Sequence, residues 1–595
     1  PGPAPATAAE AARWWAEGAD LPWETYWRTP RARVALPVYP FAPVEAPPPP
    51  VAAPAADTAP DATPEASPDV AREVAALETV LLDRYAEVSG IPRDELDAHT
   101  PFVEYGLTSL QIGELNRLLA EDWGVGSRTL FFEHGDMAHV AEDAVRGHGA
   151  APRRTPAPAR PAALAAVPVP PAPAPTPSAA APASASAPVG ENDGAIAVIG
   201  VAGRYPQAPD LEAFWANLES GTDCVSALPA ERRRPGWPLG DMIGGFLDGV
   251  DRFDPLLFGI TPRDAALMDP HERLFLETAW AALENAAHPR QRLRERHRSR
   301  VGVYAGAMYA DYAFFGVEQT LRGRPAYSGG ALGNNANRVS YALDLHGPSL
   351  AVDTMCSSSL AALHLAVRAL RAGDCEIALA GAVNLSLHPN KFIQQRLMSL
   401  TSSSRRCRSF GEGGDGFVPA EAVGVLVLKP LARALADGDR VRAVVRGTAM
   451  VHAGRTNGYI VPSPVAQSEV VRQALADAGL RAADIDYVEA HGAGTALGDP
   501  VEIDGLSRVF GGDDRPVGSL PIGSVKSTIG HAEAAAGIAA LTKCLLQLEH
   551  GTLAPTLHVD QLNPNIDWDS VPFRAQRTAA PWPRPTGPDG TPRPR

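Results

Sequence analysis

Cysteine is scarce in this chain. There are five in 595 residues, at positions 224, 356, 375, 407 and 544, without the paired spacing that a zinc site or a disulfide framework needs. That scarcity predicts a reducing, cytoplasmic setting. Basic residues are also in deficit, 53 Lys and Arg against 68 Asp and Glu. The resulting formal charge of −15 excludes nucleic acid as the main partner, because phosphate binding needs a basic face. No long uncharged apolar run and no signal-type opening occur, so no membrane segment is predicted. The opening Pro1-Gly2-Pro3-Ala4-Pro5 reads as the inside of a longer polypeptide.

What is present falls into five stretches. Residues 1–43 hold an aromatic segment with Trp14, Trp15, Trp23, Tyr26, Trp27, Tyr39 and Phe41, too short to bury these rings alone. Residues 44–69 are rich in Pro and Ala and read as a semi-stiff spacer. Residues 70–148 are helical in pattern, with Val74, Leu77, Leu81 and Tyr85 on one amphipathic helix, Leu110, Leu115 and Leu118 on a second, and Met137 with Val140 on a third. Between Ala71 and His148 fifteen acidic residues face six basic ones, a net of −9, which suits basic partner surfaces. Ser109 opens the second helix after a glycine turn, where a hydroxyl can be a simple N-cap or something more. Residues 149–193 form an Ala/Pro/Ser-rich tether that raises the effective concentration of the small bundle at neighbouring sites. From 194 to 595 strand-like runs (196–200, 301–305, 377–383, 423–428, 441–446, 485–489) alternate with helical patterns, as in a layered α/β fold.

The α/β part turns on Val352-Asp353-Thr354-Met355-Cys356-Ser357-Ser358-Ser359-Leu360, which reads as a strand-to-helix corner. Cys356 is expected to open the helix, where N–H groups and the helix dipole favour a thiolate, and the serines after it to let a substrate approach closely. A lone cysteine at such a corner is more often inert packing. Two further loops decide otherwise. Glu489-Ala490-His491-Gly492-Ala493-Gly494-Thr495-Ala496-Leu497-Gly498-Asp499-Pro500 places a histidine in a glycine-rich loop after a strand. Gly523-Ser524-Val525-Lys526-Ser527-Thr528-Ile529-Gly530-His531-Ala532-Glu533-Ala534-Ala535-Ala536-Gly537 places a lysine and a second histidine before a small-residue helix.

Those segments, with Met268-Asp269-Pro270-His271-Glu272-Arg273 and Gly414-Asp415-Gly416-Phe417-Val418-Pro419, resemble the signatures of β-ketoacyl synthases of the thiolase superfamily. The resemblance implies a thiolase-like αβαβα layered ketosynthase, usually a homodimer, with Cys356 as nucleophile, His491 and His531 as its partners and Lys526 in support. The small all-α bundle similarly resembles an acyl carrier protein, with Ser109 matching the serine that receives covalent 4′-phosphopantetheine. The opening, ending Leu36-Pro37-Val38-Tyr39-Pro40-Phe41, resembles the linker that follows a preceding synthase. Together these imply part of a bacterial modular polyketide synthase. Arg455-Thr456-Asn457-Gly458-Tyr459-Ile460-Val461-Pro462 is similar to ketosynthases whose acyltransferase acts in trans.

The implied chemistry is chain elongation by decarboxylative Claisen condensation. A thiolate is both nucleophile and leaving group, and two imidazoles can donate hydrogen bonds to an enolate oxygen. Implied partners are carrier-bound acyl thioesters, a phosphopantetheinyl transferase, a trans-acting acyltransferase and other assembly-line modules. Thr495 and Asp499 read as loop support. Met355 is bulkier than the alanine often found before the nucleophile and is expected to disfavour α-branched chains. Arg290, Arg292, Arg294, Arg296, Arg298 and Arg300 form the densest basic patch, a solvated loop or a dock for the acidic carrier. The chain departs from the family pattern at Thr108, which replaces the aspartate before the carrier serine, at Ala493, and at Ala420-Glu421-Ala422. It also stops before a Phe-Gly-Gly-x-Asn segment, which suggests an excerpt of a longer polypeptide. A gatekeeper that only transacylates and a non-catalytic scaffold are the competing readings; the presence of His491 argues against the first.

Overall fold

A computed structural model describes residues 68–89, 91–102, 109–123, 125, 130–147, 194–233, 242–456, 458, 461–512 and 515–584. The aromatic opening, nearly all of the first spacer, the whole tether, Thr108, and Asn457, Tyr459 and Ile460 lie outside the described residues.

The carrier-like region folds as α1 (Pro68–Ser89), α2 (Ser109–Asp122), α3 (Leu130–Glu133) and α4 (Met137–Arg146). The apolar positions expected from helical spacing meet in one core: Leu77, Leu81 and Tyr85 of α1, Leu115 and Leu118 of α2, Met137 and Val140 of α4, joined by Ile112. The short α3 was not anticipated. It adds Phe131, whose ring centroid lies 5.7 Å from that of Phe102, and four residues are too few to show a period. At the start of α4, the Asp136 carboxylate accepts the His139 N–H at 2.8 Å, a side-chain cap.

The larger region is built on a six-stranded sheet of β1 (Ile196–Arg204), β2 (Val301–Gly306), β3 (Ser349–Val352), β4 (Ile377–Asn384), β5 (Ala422–Pro430) and β6 (Ala443–Val445) in the order β3-β2-β4-β5-β1-β6. The β3, β2 and β4 strands are mutually parallel, and β5, β1 and β6 join antiparallel. Helices cover both faces, so the inner strands are near-continuous apolar runs, and all eight residues of β4 are buried. The two faces differ in side-chain size. Ile377, Leu379 and Val383 of β4 point to one side with Phe275 and Leu283 of α5 (Pro270–Asn285) and Val339 of α7 (Asn334–Leu343). Ala378, Ala380 and Ala382 point to the other, where they leave room for α8 (Ser358–Ala372) and α13 (Ala536–His550).

Past these central helices lies a second sheet of β7 (Val488–Glu489), β8 (Leu520–Gly523) and β9 (Phe573–Ala575), all parallel in the order β9-β8-β7. Its other face packs on α11 (Gly498–Phe510) through Ile503, Leu506 and Phe510. Helix α10 (Pro464–Ala478) lies against α11. The layer order is therefore α, β, α, β, α. The central α layer matters most, because α8 begins just after Cys356 and α13 follows just after His531.

Three local expectations change. The stretch 485–489 keeps only Val488 and Glu489 as strand, because Ala482–Asp484 takes a tight helical turn in which the Asp484 carboxylate accepts the Arg481 N–H at 2.9 Å. The run 441–446 shortens to Ala443–Val445. The arginine-rich run is not a loop but helix α6 (Arg290–His297). Two guanidinium groups of the run bond to main-chain oxygens: Arg292 donates to Ala287 O at 3.1 Å and Arg300 to Gly373 O at 2.6 Å. No helix among the described residues is long and apolar enough to cross a membrane.

Candidate active site

The corner between β3 and α8 places Cys356. Met355 is held in the left-handed region at φ 56°, which costs a non-glycine residue roughly 1–2 kcal/mol. Side chains on both sides hold that corner. Asp353 Oδ1 accepts the Met355 N–H at 3.0 Å, Ser357 Oγ donates to Thr354 O at 2.7 Å, and Ser358 Oγ donates to Met355 O at 2.6 Å while accepting the Thr354 N–H at 2.9 Å. Ser359 Oγ accepts the Ile538 N–H at 3.0 Å, tying α8 to α13. Ser358 and Ser359 are buried, so they brace the turn rather than clear a path for substrate. Close approach comes instead from glycines. A Cβ on Gly537 would lie 2.6 Å from Leu360 Cγ, and one on Gly306 would lie 2.9 Å from Ser359 N.

The thiol is a correction to the expectation of a lowered pKa. The regular helix begins at Ser358, two residues after Cys356. Burial pushes the Cys356 thiol up to about 11, the Glu533 carboxylate adds to this, and the Lys526 and Lys391 ammonium groups pull the other way. Because the thiolate is the reactive form, alkylation of Cys356 by iodoacetamide is expected to climb about tenfold per pH unit up to at least about pH 9. A plateau near neutral pH would show that helix and lysines outweigh burial.

His491 follows β7 in a loop whose shape is set by carboxylates. Glu502 accepts the N–H groups of His491 and Gly492 at 2.6 and 2.7 Å, and Asp499 accepts those of Phe410, Gly494 and Thr495 at 2.7, 3.1 and 3.4 Å. Burial raises the Asp499 carboxyl to about 7, with backbone hydrogen bonds opposing. Gly492 and Gly494 take φ 44° and 79°, and a Cβ on Gly494 would lie 2.6 Å from Arg408 N. Lys526 is buried at the head of α12 (Lys526–Ile529) and donates to His491 O at 2.6 Å. Burial lowers its pKa, with Glu502 and Glu489 opposing. Its contact is with the histidine's main chain, which makes it a positioning group by geometry.

His531 lies 5.3 Å from His491, centroid to centroid, with the rings near perpendicular. Its Nδ1 accepts the Glu533 N–H at 3.0 Å, which puts the ring proton on Nε2. Burial, then Lys526 and His491, hold the His531 ring well below its ordinary pKa, and packing around the ring, then Lys526, lowers the pKa of His491, a residue that keeps an exposed side. Both rings are therefore neutral at physiological pH.

His491 and His531 thus meet, Lys526 bonds to the His491 main chain, and its charge acts on the Cys356 thiol. Ser109 is the first residue of α2. Met355 is 63% exposed beside the thiol-bearing residue. Several functional neighbours were not singled out from sequence. Glu502 is one, and a buried set of Glu489, Lys543 and Tyr487 is another: Lys543 Nζ and Tyr487 Oη both donate to Glu489, at 2.7 and 2.5 Å. A third set is Lys391, Glu533, Asn384, Gln395 and Tyr309. The only available signal was that Glu489 and Glu533 are carboxylates two residues from loop histidines in otherwise small, apolar segments. The departure at Ala420-Glu421-Ala422 leaves Glu421 fully buried, paired with Arg232 at 2.5 Å and accepting the Leu247 and Ser386 N–H groups.

Residues 193–434 match the beta-ketoacyl synthase N-terminal domain, 442–560 the beta-ketoacyl synthase C-terminal domain, and 79–141 the phosphopantetheine attachment site. The chain is 51% identical over 540 residues to polyketide synthase ThaG of Burkholderia thailandensis, covering 84% of this chain and 10% of that protein. It is 41% identical over 528 residues to polyketide synthase PksL of Bacillus subtilis, covering 84% of this chain and 12% of that one. It therefore spans about a tenth of the length of these relatives. Among solved structures, oxazolomycin ketosynthase domain OzmH KS7 of Streptomyces albus aligns with a TM-score of 0.64 and 52% identity, over 67% of this chain and 72% of that one. A ketosynthase from module 6 of the bacillaene synthase of Bacillus subtilis aligns at 0.60 and 37%, over 65% and 67%. The chain belongs to the β-ketoacyl synthase family and carries a phosphopantetheine attachment domain ahead of its synthase domain.

Proposed function

We propose that this chain elongates a polyketide acyl chain by decarboxylative Claisen condensation at Cys356, His491 and His531. The observation that carries the reading is the pair of neutral imidazoles 5.3 Å apart, one with its proton fixed on Nε2, joined through Lys526, which bonds to the His491 main chain and acts on the thiol of Cys356 at its strand-to-helix corner. Cys356, deprotonated, attacks the carbonyl of a carrier-borne acyl thioester, and the carrier thiol leaves with the proton. A malonyl-type thioester then loses carbon dioxide. The electron pair left behind passes to the enolate oxygen, where His531 Nε2–H and the His491 ring donate hydrogen bonds. The enolate carbon attacks the Cys356 acyl carbonyl, the Cys356 thiolate departs, and a β-ketoacyl thioester leaves on the carrier.

Ser109 fits covalent 4′-phosphopantetheine: its hydroxyl supplies the phosphodiester oxygen at the first turn of a helix in an acidic domain. That group, when attached, supplies a thiol on a long arm. A phosphopantetheinyl transferase, a trans-acting acyltransferase and neighbouring modules complete the set of partners. The test is intact mass after an acyl thioester and then a malonyl-carrier are added. An acyl adduct on Cys356 that converts to a β-ketoacyl carrier supports elongation, an adduct that persists indicates transacylation alone, and no adduct indicates a scaffold.

Met355, next to Cys356, is proposed to crowd the acyl α-carbon. Met355→Ala should raise acylation by α-branched thioesters relative to unbranched ones, and equal discrimination by both proteins would remove the idea.

Self-association is proposed through β3, the outer strand of the first sheet. Leu350 on that strand, Leu360 on α8 and Tyr341 on α7 are 46%, 47% and 83% exposed, a cluster of large apolar groups beside an unpaired strand edge. Leu350→Lys combined with Tyr341→Glu should turn a homodimer into a monomer by light scattering. A parent protein already monomeric at micromolar concentration would contradict this.

A further inference from the structure

Lys391 belongs to none of the loops that carry the cysteine and the histidines. It lies on α9 (Pro389–Leu397) and is 1% exposed. Its ammonium is 2.5 Å from the Glu533 carboxylate, donates to Asn384 Oδ1 and Leu385 O at 3.1 Å each, and sits 4.1 Å from the Tyr309 ring centroid. The same carboxylate accepts from Gln395 Nε2 at 2.7 Å, Asn384 Nδ2 at 3.1 Å and Tyr309 Oη–H at 3.1 Å. Four side chains thus fix one buried acidic group.

Stability does not account for the arrangement, because buried ion pairs are commonly no better than apolar residues of the same shape. Activation of the thiol does not either, since Lys391 and Glu533 carry opposite charges and act on Cys356 in opposite senses. What the clamp does control is a main-chain atom. Glu533 sits at φ 46°, and its N–H is the donor to His531 Nδ1.

We propose that Lys391 is a positioning residue for condensation: by pinning the Glu533 carboxylate it holds the Glu533 N–H on His531 Nδ1 and so keeps the imidazole proton on Nε2. This rests on the elongation reading, in which His531 acts on the malonyl-derived enolate but is not the acyl acceptor. The clamp should therefore affect decarboxylation and leave acyl loading alone.

Removing one charge strands the other in the core, so the informative variant is Lys391→Met with Glu533→Gln, which keeps the site neutral and nearly isosteric. The rate constant for carbon dioxide release from a malonyl-carrier should fall on the order of 10²-fold, as expected for a displaced catalytic group. KM for that carrier and the rate of Cys356 acylation should stay within about twofold. A milder variant, Tyr309→Phe, deletes one hydroxyl from the clamp and should lower the same rate constant several-fold with KM unchanged. Parallel loss of acylation and decarboxylation in the double variant, or parent-like decarboxylation in either variant, overturns the inference. A double variant that does not fold leaves the decision to Tyr309→Phe. Parent protein that acylates Cys356 but releases no carbon dioxide instead overturns elongation, and the inference with it.

Discussion

In protein whose Ser109 carries no phosphopantetheine, Cys356→Ala is expected to abolish acyl loading, leaving less than about 10⁻⁴ of the parent rate, because no other cysteine is placed to form the thioester. Of the other four cysteines, Cys224, Cys375 and Cys407 are buried, and the thiol of Cys544 is driven far up by burial and Glu489. None of these is both accessible and close to the histidines. The variant should keep its fold. The corner is braced by Asp353, Ser357 and Ser358 rather than by the sulfur, and alanine creates only a small void. Peptide mapping of the protein after exposure to an acyl thioester checks the result. An adduct that survives the substitution would place the nucleophile elsewhere.

The second large effect belongs to the imidazoles. His531→Ala is expected to lower carbon dioxide release from a malonyl-carrier by 10²- to 10³-fold, roughly the value of one preorganised oxyanion donor. Acylation of Cys356 should fall far less, since it does not develop the enolate charge. His491→Ala should show the same split. The reason is electrostatic: both rings are held neutral by their surroundings, so each already carries an N–H donor and needs no proton from solvent. The folded His531 pKa lies below the unfolded one, so this residue's neutral burial favours the fold at neutral pH, and that contribution is lost as pH falls below the ordinary histidine value of about 6.5. The split is measured by loading and decarboxylation assays on the same preparations, and equal losses in both would contradict a role confined to the enolate.

Much of this was legible in the residues, for identifiable reasons. Ile377 to Val383 and Ala422 to Leu428 are apolar throughout, and runs of that kind have few places to go except the middle of a covered sheet. Leu77, Leu81 and Tyr85 share a helical period and did meet in the carrier core. The loop motifs located Cys356, His491, His531 and Lys526 because glycine and small residues surround them. What stayed hidden depends on distance in sequence. Lys391 meets Glu533 across the α9-to-α12 span, and nothing local to Lys391 distinguishes it from a surface cation. Leu520 to Gly523 was missed as a strand because it is four residues long and contains Pro521. The thiol's direction was misjudged because helix position is local, whereas desolvation is a property of everything packed around the sulfur.

Cys356 sits two residues before a helix shared by both halves of the layered core, with Ser359 bonded to the α13 backbone. Chemistry and architecture are thus coupled at a single joint. In a titration with urea, acyl-loading capacity should persist until the synthase domain melts as a whole and then vanish with it, so that no inactive yet intact species accumulates at intermediate denaturant.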